Sequence, residues 1–164
     1  MEKQHALQQL EQLQKKLYAI HYACSAMNLD ADTVAPKNTS EGRGVALGVL
    51  AGEEQQLMIC PETRALLDEL DRQKDELDLL HRREVEELRR RCDQLTRIPA
   101  EEYIAYSELV NKAGDVWHKA KEKDDFAMFC PLLQELVEYN RKFAAYYDST
   151  RAPYDALLNE YERG

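Results

Sequence analysis

Apolar residues recur at intervals of three and four along almost the whole chain. In residues 3–28 the apolar stripe consists of Leu7, Leu10, Leu13, Leu17 and Ile20. This spacing places the side chains on one face of a helix. We see no alternation of the kind that marks strands and no internal repeat. The pattern therefore predicts an all-α fold, an antiparallel bundle of about six to seven helices.

Proline and small polar residues divide the first half into separate helices. The segment LDADTVAPKNTSEG interrupts the period after the first helix, and Pro36 disfavours a helical residue before it. Thr39 or Ser40 is a suitable N-cap for a second helix, which we expect to run to about Ile59. A short third helix should begin at Pro61, since proline suits the first helical position.

The second predicted helix is unusually rich in glycine. It contains Gly42, Gly44, Gly48 and Gly52, and each costs roughly 1 kcal/mol relative to alanine in a helix. Either another backbone packs very close to this helix, or the helix is weak.

The charged middle of the chain predicts a long helical hairpin that protrudes from the bundle. Its arms are residues 74–97 and 99–122, with Pro99 at or just past the turn. Each arm would be roughly 35 Å long. Acid–base pairs four positions apart should stabilise the first arm: Asp78 with Arg82, Glu86 with Arg90 and Glu87 with Arg91. The packing residues of the second arm are Ile104, Leu109, Val116 and Trp117.

Two further helices complete the pattern. The sixth is capped by Asp124 or Asp125, unless it begins at Pro131, which lies within its first two turns. The seventh is PYDALLNEYE, residues 153–162, with an apolar stripe of Tyr154, Leu157, Leu158 and Tyr161 on one face.

Composition and charge narrow the class of protein. A chain of 164 residues and 19.0 kDa is one domain by size. The 31 acidic and 22 basic residues give a net charge of −9, which argues against nucleic acid or anionic membrane as a partner. The uncharged stretch from Leu17 to Leu29 is too short and too polar to span a bilayer. With no signal-peptide pattern at the start, we expect a cytoplasmic protein.

The residues that could carry chemistry form no recognisable constellation. The four cysteines are single and far apart, so each is interpreted as a buried free thiol: Cys24, Cys60, Cys92 and Cys130. His21 and Cys24 could share a metal at i,i+3, but no third or fourth ligand lies nearby in sequence. His81 and His118 are interpreted as residues that are solvated or lie at the edge of the core, rather than as general bases. The sequence contains no HExxH, no G-x-S-x-G and no phosphate-binding glycine loop.

Three stretches do resemble a known family, in order along the chain. LDADTVAPKNTSEGRGVALGVLA is similar to WDQETYMPPGGAEARAEQLATLA of carboxypeptidase Taq-type metallocarboxypeptidases, with matches at Asp30, Thr33, Pro36, Glu41, Arg43 and Leu47. LTRIPAEEYIAYSELVNKAGDVWHKAKEKDDFAMFCPLLQELVE resembles the family's RLPxEL…AWxxARxxNDFxxFxPxLExLVEL. PYDALLNEYERG is very close to PYDALLDEYEPG. Two departures fall in the first stretch: Leu29 replaces a tryptophan, and Lys37 and Asn38 replace two glycines.

The resemblance implies that residues 1–164 are the N-terminal helical segment of a longer enzyme that removes C-terminal residues from peptides. In this family an HExxH helix, a third glutamate ligand and the substrate-binding motifs lie downstream. The resemblance thus implies no catalytic, cofactor-binding or metal-binding residue in this chain, and zinc or another divalent metal in the full-length parent. We expect the chain alone to be inactive.

The resemblance also implies a role and partners for the segment. It would form a wall and cap of the groove that admits the C-terminal end of a peptide, and its partners would be the catalytic remainder and peptide substrates. Exposure of the final stripe predicts self-association of the isolated chain. Two alternatives are a stand-alone helical protein-interaction module and a complete small enzyme with a site that the sequence does not reveal.

Overall fold

The computed structural model describes residues 2–36 and 38–158, and in those ranges it is helical with no strand. The helices are α1 (Lys3–Thr33), α2 (Ser40–Ile59), α3 (Pro61–Arg72), α4 (Leu79–Arg97), α5 (Ala100–Glu122), α6 (Phe126–Tyr147) and α7 (Pro153–Leu158). The predicted all-α bundle of about six to seven helices is confirmed. None of the helices in the described part of the chain is long and apolar enough to cross a membrane.

Helix α2 lies at the centre of the bundle, where it contacts α1, α3, α4 and α5. One apolar cluster joins α1 to α4, and its fully buried large side chains include Leu10, Met58, Leu67, Leu70 and Val85. A second, smaller cluster joins α5 to α6 around Leu109, Ala113 and Leu132. Helices α1 and α5, which both contact α2, approach each other where Asp32 lies 3.6 Å from His118.

Glycines of α2 form the surface on which α5 packs. A Cβ atom added at Gly44, Gly48 or Gly52 would lie 3.0, 2.7 and 3.0 Å from side-chain atoms of Asn111, Glu108 and Ile104, respectively. One predicted explanation was another backbone packed very close to this helix; a close neighbour is present, but the atoms that approach are side-chain atoms of α5 and not its backbone. Gly42 has no atom within 4 Å of such a Cβ, so packing does not explain this glycine.

The loop between α1 and α2 is shorter than the sequence predicted. Helix α1 continues to Thr33 because the poor helix formers after residue 28 do not break a helix, and the Val34 and Ala35 amides still donate to Asp30 O at 3.0 and 2.8 Å. Thr39 occupies the N-cap position of α2, but its hydroxyl donates to Pro36 O at 2.9 Å and makes no capping bond. The predicted end of α2 at Ile59 and start of α3 at Pro61 are confirmed.

Asn38, where the resembled pattern has a glycine, has a left-handed backbone with φ 70°. Asparagine tolerates this conformation better than other residues with a side chain. The departure from the family pattern therefore keeps the backbone conformation that a glycine would allow.

The predicted hairpin is wrong as an antiparallel pair. Residues 74–76 form a 3-10 turn, and α4 begins only at Leu79, where the Asp78 carboxylate accepts a bond from the His81 amide at 3.0 Å. After Pro99, the N-cap of α5, the two helices separate: α4 packs on α3 and α2, whereas α5 packs on α2 and α6. Helical periodicity indicates which face is buried, but not against which helix.

The ion pairs of α4 also differ from the predicted spacing. Arg83 with Glu86 and Arg90 with Glu87 pair three positions apart, at 2.7 and 2.6 Å. Arg91 instead leaves its own helix and bonds to Glu54 of α2. Arg91 thus forms an ion pair with a buried carboxylate of another helix rather than the predicted pair with Glu87 of its own helix.

A buried glutamine fixes the end of α4. Gln55 of α2 is fully buried and donates through Nε2 to Leu95 O at 3.1 Å and to Ile98 O at 2.8 Å. Leu95 O lies in the last turn of α4, where it also accepts a bond from the Ile98 amide at 3.3 Å, and Ile98 directly follows the helix. Gln55 therefore orients the turn that leads into α5.

The structure shows where α6 begins, and it describes α7 as far as Leu158. Helix α6 begins at Phe126 with Asp125 as its cap, so Pro131 lies inside the helix. Helix α7 packs on α6 through the buried Ala156, while Tyr154 and Leu158 remain exposed. Residues 159–162 of the predicted helix, with Tyr161, lie outside the described residues.

Candidate functional site

A cleft of about 530 Å³ lies between α1, α2 and α5. One wall comes from the C-terminal half of α1, the floor from the first turns and middle of α2, and the other wall from α5. Its lining residues are Cys24, Asn28, Ala31, Asp32, Arg43, Leu47, Ala51, Glu54, Tyr103, Tyr106, Ser107, Val110, Asn111, Gly114, Asp115 and His118. Apolar, aromatic and charged side chains thus meet in one concave surface, as in most ligand sites.

At one end of the cleft, a buried carboxylate joins three helices. The Glu54 side chain is only 8% exposed, and its Oε1 lies 3.0 Å from His21 Nε2 of α1. The same oxygen accepts a bond from Arg91 Nη2 of α4. A buried carboxylate needs such partners because water no longer solvates its charge. This end of the cleft is internally paired.

Two neighbours of Glu54, Tyr103 and Cys24, have raised pKa values. Burial raises the pKa of the Tyr103 hydroxyl, and the negative charge of Glu54 raises it further. Burial, with a smaller contribution from Glu54, likewise raises the pKa of the Cys24 thiol. Neither group is therefore prepared to act as an anionic nucleophile at neutral pH.

At the other end, an arginine is held by an amide. Arg43 Nε donates to Asn111 Oδ1 at 2.8 Å, and Asn111 Nδ2 donates in turn to Ser40 O at 2.9 Å. Asn111 thus links α5 to the first turn of α2 and fixes the direction of the guanidinium. Because Nε is occupied, the two terminal Nη groups are the remaining donors of Arg43, which lines the cleft.

The mouth of the cleft is spanned by a histidine and an aspartate. His118 Nε2 of α5 lies 3.6 Å from Asp32 Oδ1 of α1, and both side chains are more than half exposed. The pair has charge on both sides only when His118 is protonated. This contact is weak and solvent-screened.

The residues considered for metal binding do not assemble a metal site. His21 bonds to Glu54, and Cys24 lines the cleft without a further ligand; His81 lies 2.6 Å from Asp78 at the start of α4. Among the described residues, no group of three or more His, Cys, Asp or Glu side chains is placed to hold a metal ion.

The prediction of buried thiols is correct for one cysteine. All four cysteines are free, and Cys92 is buried, but the other three are only partly covered: Cys24, Cys60 and Cys130. Apolar neighbours in sequence do not guarantee burial when they face other sides of a helix.

Sequence reasoning missed the residues that organise the cleft. Glu54, Arg91 and Asn111 are polar residues on helices, and nothing in their spacing indicates that they meet. Only Arg43 could be singled out from the sequence, because it falls on a position that matches the pattern of the resembled family. Its pairing with α5 depends on the packing of α2 against α5, which periodicity does not predict.

Comparison with known proteins identifies the family. The model for the family described as carboxypeptidase Taq (M32) metallopeptidase matches residues 9–164. The chain belongs to the carboxypeptidase Taq (M32) family. The resemblance found in the sequence is thereby confirmed.

The relatives are much longer than this chain. Carboxypeptidase 1 of Bacillus subtilis (strain 168) is 36% identical over 146 residues, which is 88% of this chain and 29% of that protein. Thermostable carboxypeptidase 1 of Pyrococcus furiosus is 31% identical over 150 residues, or 92% and 30% of the two chains. The chain thus spans less than a third of the length of these relatives.

Solved structures of carboxypeptidases share its fold. The crystal structure of BsuCP matches with a TM-score of 0.93 and 32% identity over 98% of this chain and 32% of that one. Trypanosoma cruzi metallocarboxypeptidase 1 matches with a TM-score of 0.74 and 31% identity, over 98% of this chain and 32% of that one. The arrangement of helices described above is therefore that of the corresponding part of these enzymes.

The family is one of metallopeptidases, so the fit of a catalytic metal to this chain can be tested directly. Glu54 and His21 bring two potential ligands together in the cleft, and Arg91 donates to the same carboxylate oxygen. A guanidinium bound at that oxygen competes with a cation. The described residues therefore do not fit a metal centre.

Proposed function

We propose that this chain is the N-terminal, non-catalytic segment of a metal-dependent carboxypeptidase and forms a wall or cap of its substrate groove. The observation that carries the proposal is the family match from residue 9 to residue 164, combined with coverage of only 29–30% of the matched relatives. The remaining length of such a protein would supply the metal, which we propose to be zinc or another divalent ion.

The cleft between α1, α2 and α5 supports the groove role. It is concave, and it offers both apolar surface (Leu47, Val110) and hydrogen-bonding groups (Asn28, Ser107) to a peptide. Its walls are rigid helices tied together by the Arg43–Asn111 bond and the Glu54 pairs. Rigid walls position a flexible peptide at a low entropic cost.

Exposed aromatic residues indicate that another part of a longer enzyme packs against this segment. Tyr18 and Tyr22 stack on α1 with ring centroids 6.1 Å apart, and Phe126 is exposed at the start of α6. Aromatic side chains are enriched where proteins contact one another. We propose that the catalytic remainder of the enzyme covers part of this surface.

The proposal is tested by comparing the 164-residue chain with the longer polypeptide of its parent reading frame. The longer polypeptide should release the C-terminal residue from an N-blocked tripeptide and should leave the same peptide with a C-terminal amide intact. The 164-residue chain should release nothing, and elemental analysis of untagged protein should give well below one zinc per chain.

Two results would refute this function. The first is C-terminal cleavage by the 164-residue chain itself, or a tight one-to-one zinc content. The second is a reading frame that yields no HExxH and no activity, which would favour the stand-alone interaction module.

A further inference from the structure

Each carboxylate of the cleft has a basic partner. Glu54 pairs with Arg91 and His21, Asp115 lies 2.6 Å from Lys119 Nζ, and Asp32 lies 3.6 Å from His118. Glu54 and Asp115 are thus paired at close range with Arg91 and Lys119, whereas Asp32 has only its longer contact with His118.

Arg43 is the exception, because its only polar contact within the described residues is the neutral amide of Asn111. No carboxylate lies within salt-bridge distance of its guanidinium in that part of the chain. Arginine is permanently charged, and its terminal N–H groups form a fork that matches a carboxylate. The side chain is half-buried, so its charge is less screened by solvent than that of a surface arginine.

The direction of this fork is fixed before any ligand arrives. Asn111 accepts from Arg43 Nε at 2.8 Å and is itself tied to Ser40 O at 2.9 Å, so two helices hold one guanidinium. Gly44, one residue after Arg43, gives Asn111 the space to reach it, since a Cβ there would lie 3.0 Å from Nδ2. A donor group held in place binds with less loss of side-chain entropy.

We propose that Arg43 is the anchor of a carboxylate-binding subsite in this cleft, and that its ligand is a carboxylate of a bound peptide. The identification of the ligand as a peptide rests on the proposed function. The cleft volume of about 530 Å³ accommodates a few residues of an extended peptide. The walls beside the guanidinium, Leu47 and Val110, would take the apolar part of the same ligand.

A peptide offers this chemistry from two sources, its terminal α-carboxylate or the side chain of Asp or Glu. Three N-acetylated dipeptides separate them: Leu-Leu with a free carboxylate, Glu-Leu as the C-terminal amide, and Leu-Leu as the C-terminal amide. The third has no carboxylate and reports the apolar contribution alone. Each is titrated into the 164-residue chain and followed by amide chemical shifts and by calorimetry.

We expect at least one carboxylate probe to bind, with shifts concentrated at the cleft positions of α2 and α5, and the neutral amide to bind at least fivefold more weakly. Whichever carboxylate probe binds more tightly identifies the source. Arg43→Gln should reduce the affinity for that probe by roughly fivefold or more, because a charge-assisted pair is lost. Arg43→Lys should retain part of it, and rising salt should weaken it.

Arg83→Gln is the matched control, because Arg83 is an exposed arginine on α4 whose partner is Glu86. It should leave binding unchanged. If Arg43→Gln does not fold, the shift map of the unaltered chain and its salt dependence decide the question. The subsite is refuted if no carboxylate probe binds at millimolar concentration, if the neutral amide binds equally well, or if the shifts lie outside the cleft.

Failure here is distinguishable from failure of the proposed function. Carboxypeptidase activity of the longer polypeptide with no carboxylate binding at Arg43 would refute only the subsite. Binding at Arg43 by a chain whose longer form has no peptidase activity would refute the proposed function and leave the carboxylate-binding subsite in place.

Discussion

At the scale of single residues, Glu54 shows how a polar group in the interior can organise its surroundings. Its carboxylate oxygen meets His21 from α1 and Arg91 from α4, while the residue itself belongs to α2. Removing a charge from such a site leaves its partners without compensation. The contact should therefore matter more for stability than the surface pairs of α4.

The substitution Glu54→Gln should lower the free energy of unfolding by about 1–3 kcal/mol, because Arg91 loses its anionic partner near the protein interior. Glu86→Gln, which breaks an exposed pair with Arg83, should cost at most about 0.5 kcal/mol. Urea denaturation of both variants measures the difference. Equal losses would show that Glu54 acts as an ordinary surface carboxylate.

Tyr103 provides a pH-dependent prediction. Burial raises its pKa above the ordinary value of about 10 for tyrosine. The unfolded chain then loses this proton first, so the contribution of Tyr103 to stability is complete below about pH 10 and is lost as pH rises through the folded-state pKa. Tyr103→Phe should show a smaller loss of stability than the unaltered chain between about pH 9 and about pH 11.

The control for this prediction is Tyr154→Phe, which removes a hydroxyl from a side chain that is 74% exposed. Its loss of stability over the same pH range should equal that of the unaltered chain. If Tyr103→Phe behaves in the same way as this control, the Tyr103 hydroxyl is not in the environment described.

The residue scale is also where sequence reasoning was weakest. The i,i+3 spacing of His21 and Cys24 suggests a pair, but the partner of His21 is Glu54, thirty-three positions away. Contacts of this kind depend on the register between helices. That register is set by side-chain shapes at many positions, and no short motif encodes it.

At the scale of elements, the contact between α2 and α5 is the most informative. The glycine content of α2 predicted a close neighbour, and the structure identifies it as α5 with its side chains Ile104, Glu108 and Asn111. The bounds of α2 and α3 were predictable because proline and polar residues mark them locally. The partner of α5 was not, since a continuous charged pattern suggested α4.

Two alanine substitutions test the role of these glycines. Gly42→Ala should stabilise the chain by up to about 1 kcal/mol, because nothing lies within 4 Å of the new Cβ and alanine favours the helix. Gly48→Ala should be less stable than Gly42→Ala by about 1 kcal/mol or more, since its Cβ would lie 2.7 Å from Glu108 Oε1 and 2.9 Å from its Cγ. Thermal and urea unfolding compare the two variants.

Equal effects at the two positions would contradict the packing of α5 described here. A destabilised Gly42→Ala would instead point to a neighbour of that residue that the described contacts do not contain.

At the scale of the whole molecule, the exposed apolar surface is the main departure from an ordinary small domain. Tyr154 is 74% exposed and Leu158 is 39% exposed, although α7 packs on α6 through Ala156. Apolar surface of this kind usually marks a place where another body packs. In a longer carboxypeptidase that body would be the rest of the enzyme.

We predict that the isolated chain self-associates through this surface. Leu157→Ser with Leu158→Ser should shift light scattering towards the monomer mass across a concentration series, because less apolar area is available for burial. Leu79→Ser with Leu80→Ser is a matched control, since these leucines are exposed at the start of α4. A chain that is monomeric throughout, or an equal shift in the control, would locate the contact elsewhere or exclude it.

The family of the whole molecule was predictable from three motifs in order along the sequence, and not from helical periodicity. Helical pattern alone gave an all-α bundle, and the resemblance of three stretches indicated the family. The cleft could not be predicted in the same way, because it is lined by α1, α2 and α5, and periodicity does not indicate which helices pack together.

We propose above all that this cleft belongs to the substrate groove of a carboxypeptidase. The most direct measurement is the KM of the longer, active polypeptide for an N-blocked tetrapeptide with Val110→Trp, which places a large ring in the cleft. We predict a KM raised several-fold with kcat nearly unchanged, and no effect from Leu80→Trp on the exposed start of α4. An unchanged KM with Val110→Trp, in an enzyme that is folded and active, would contradict the claim.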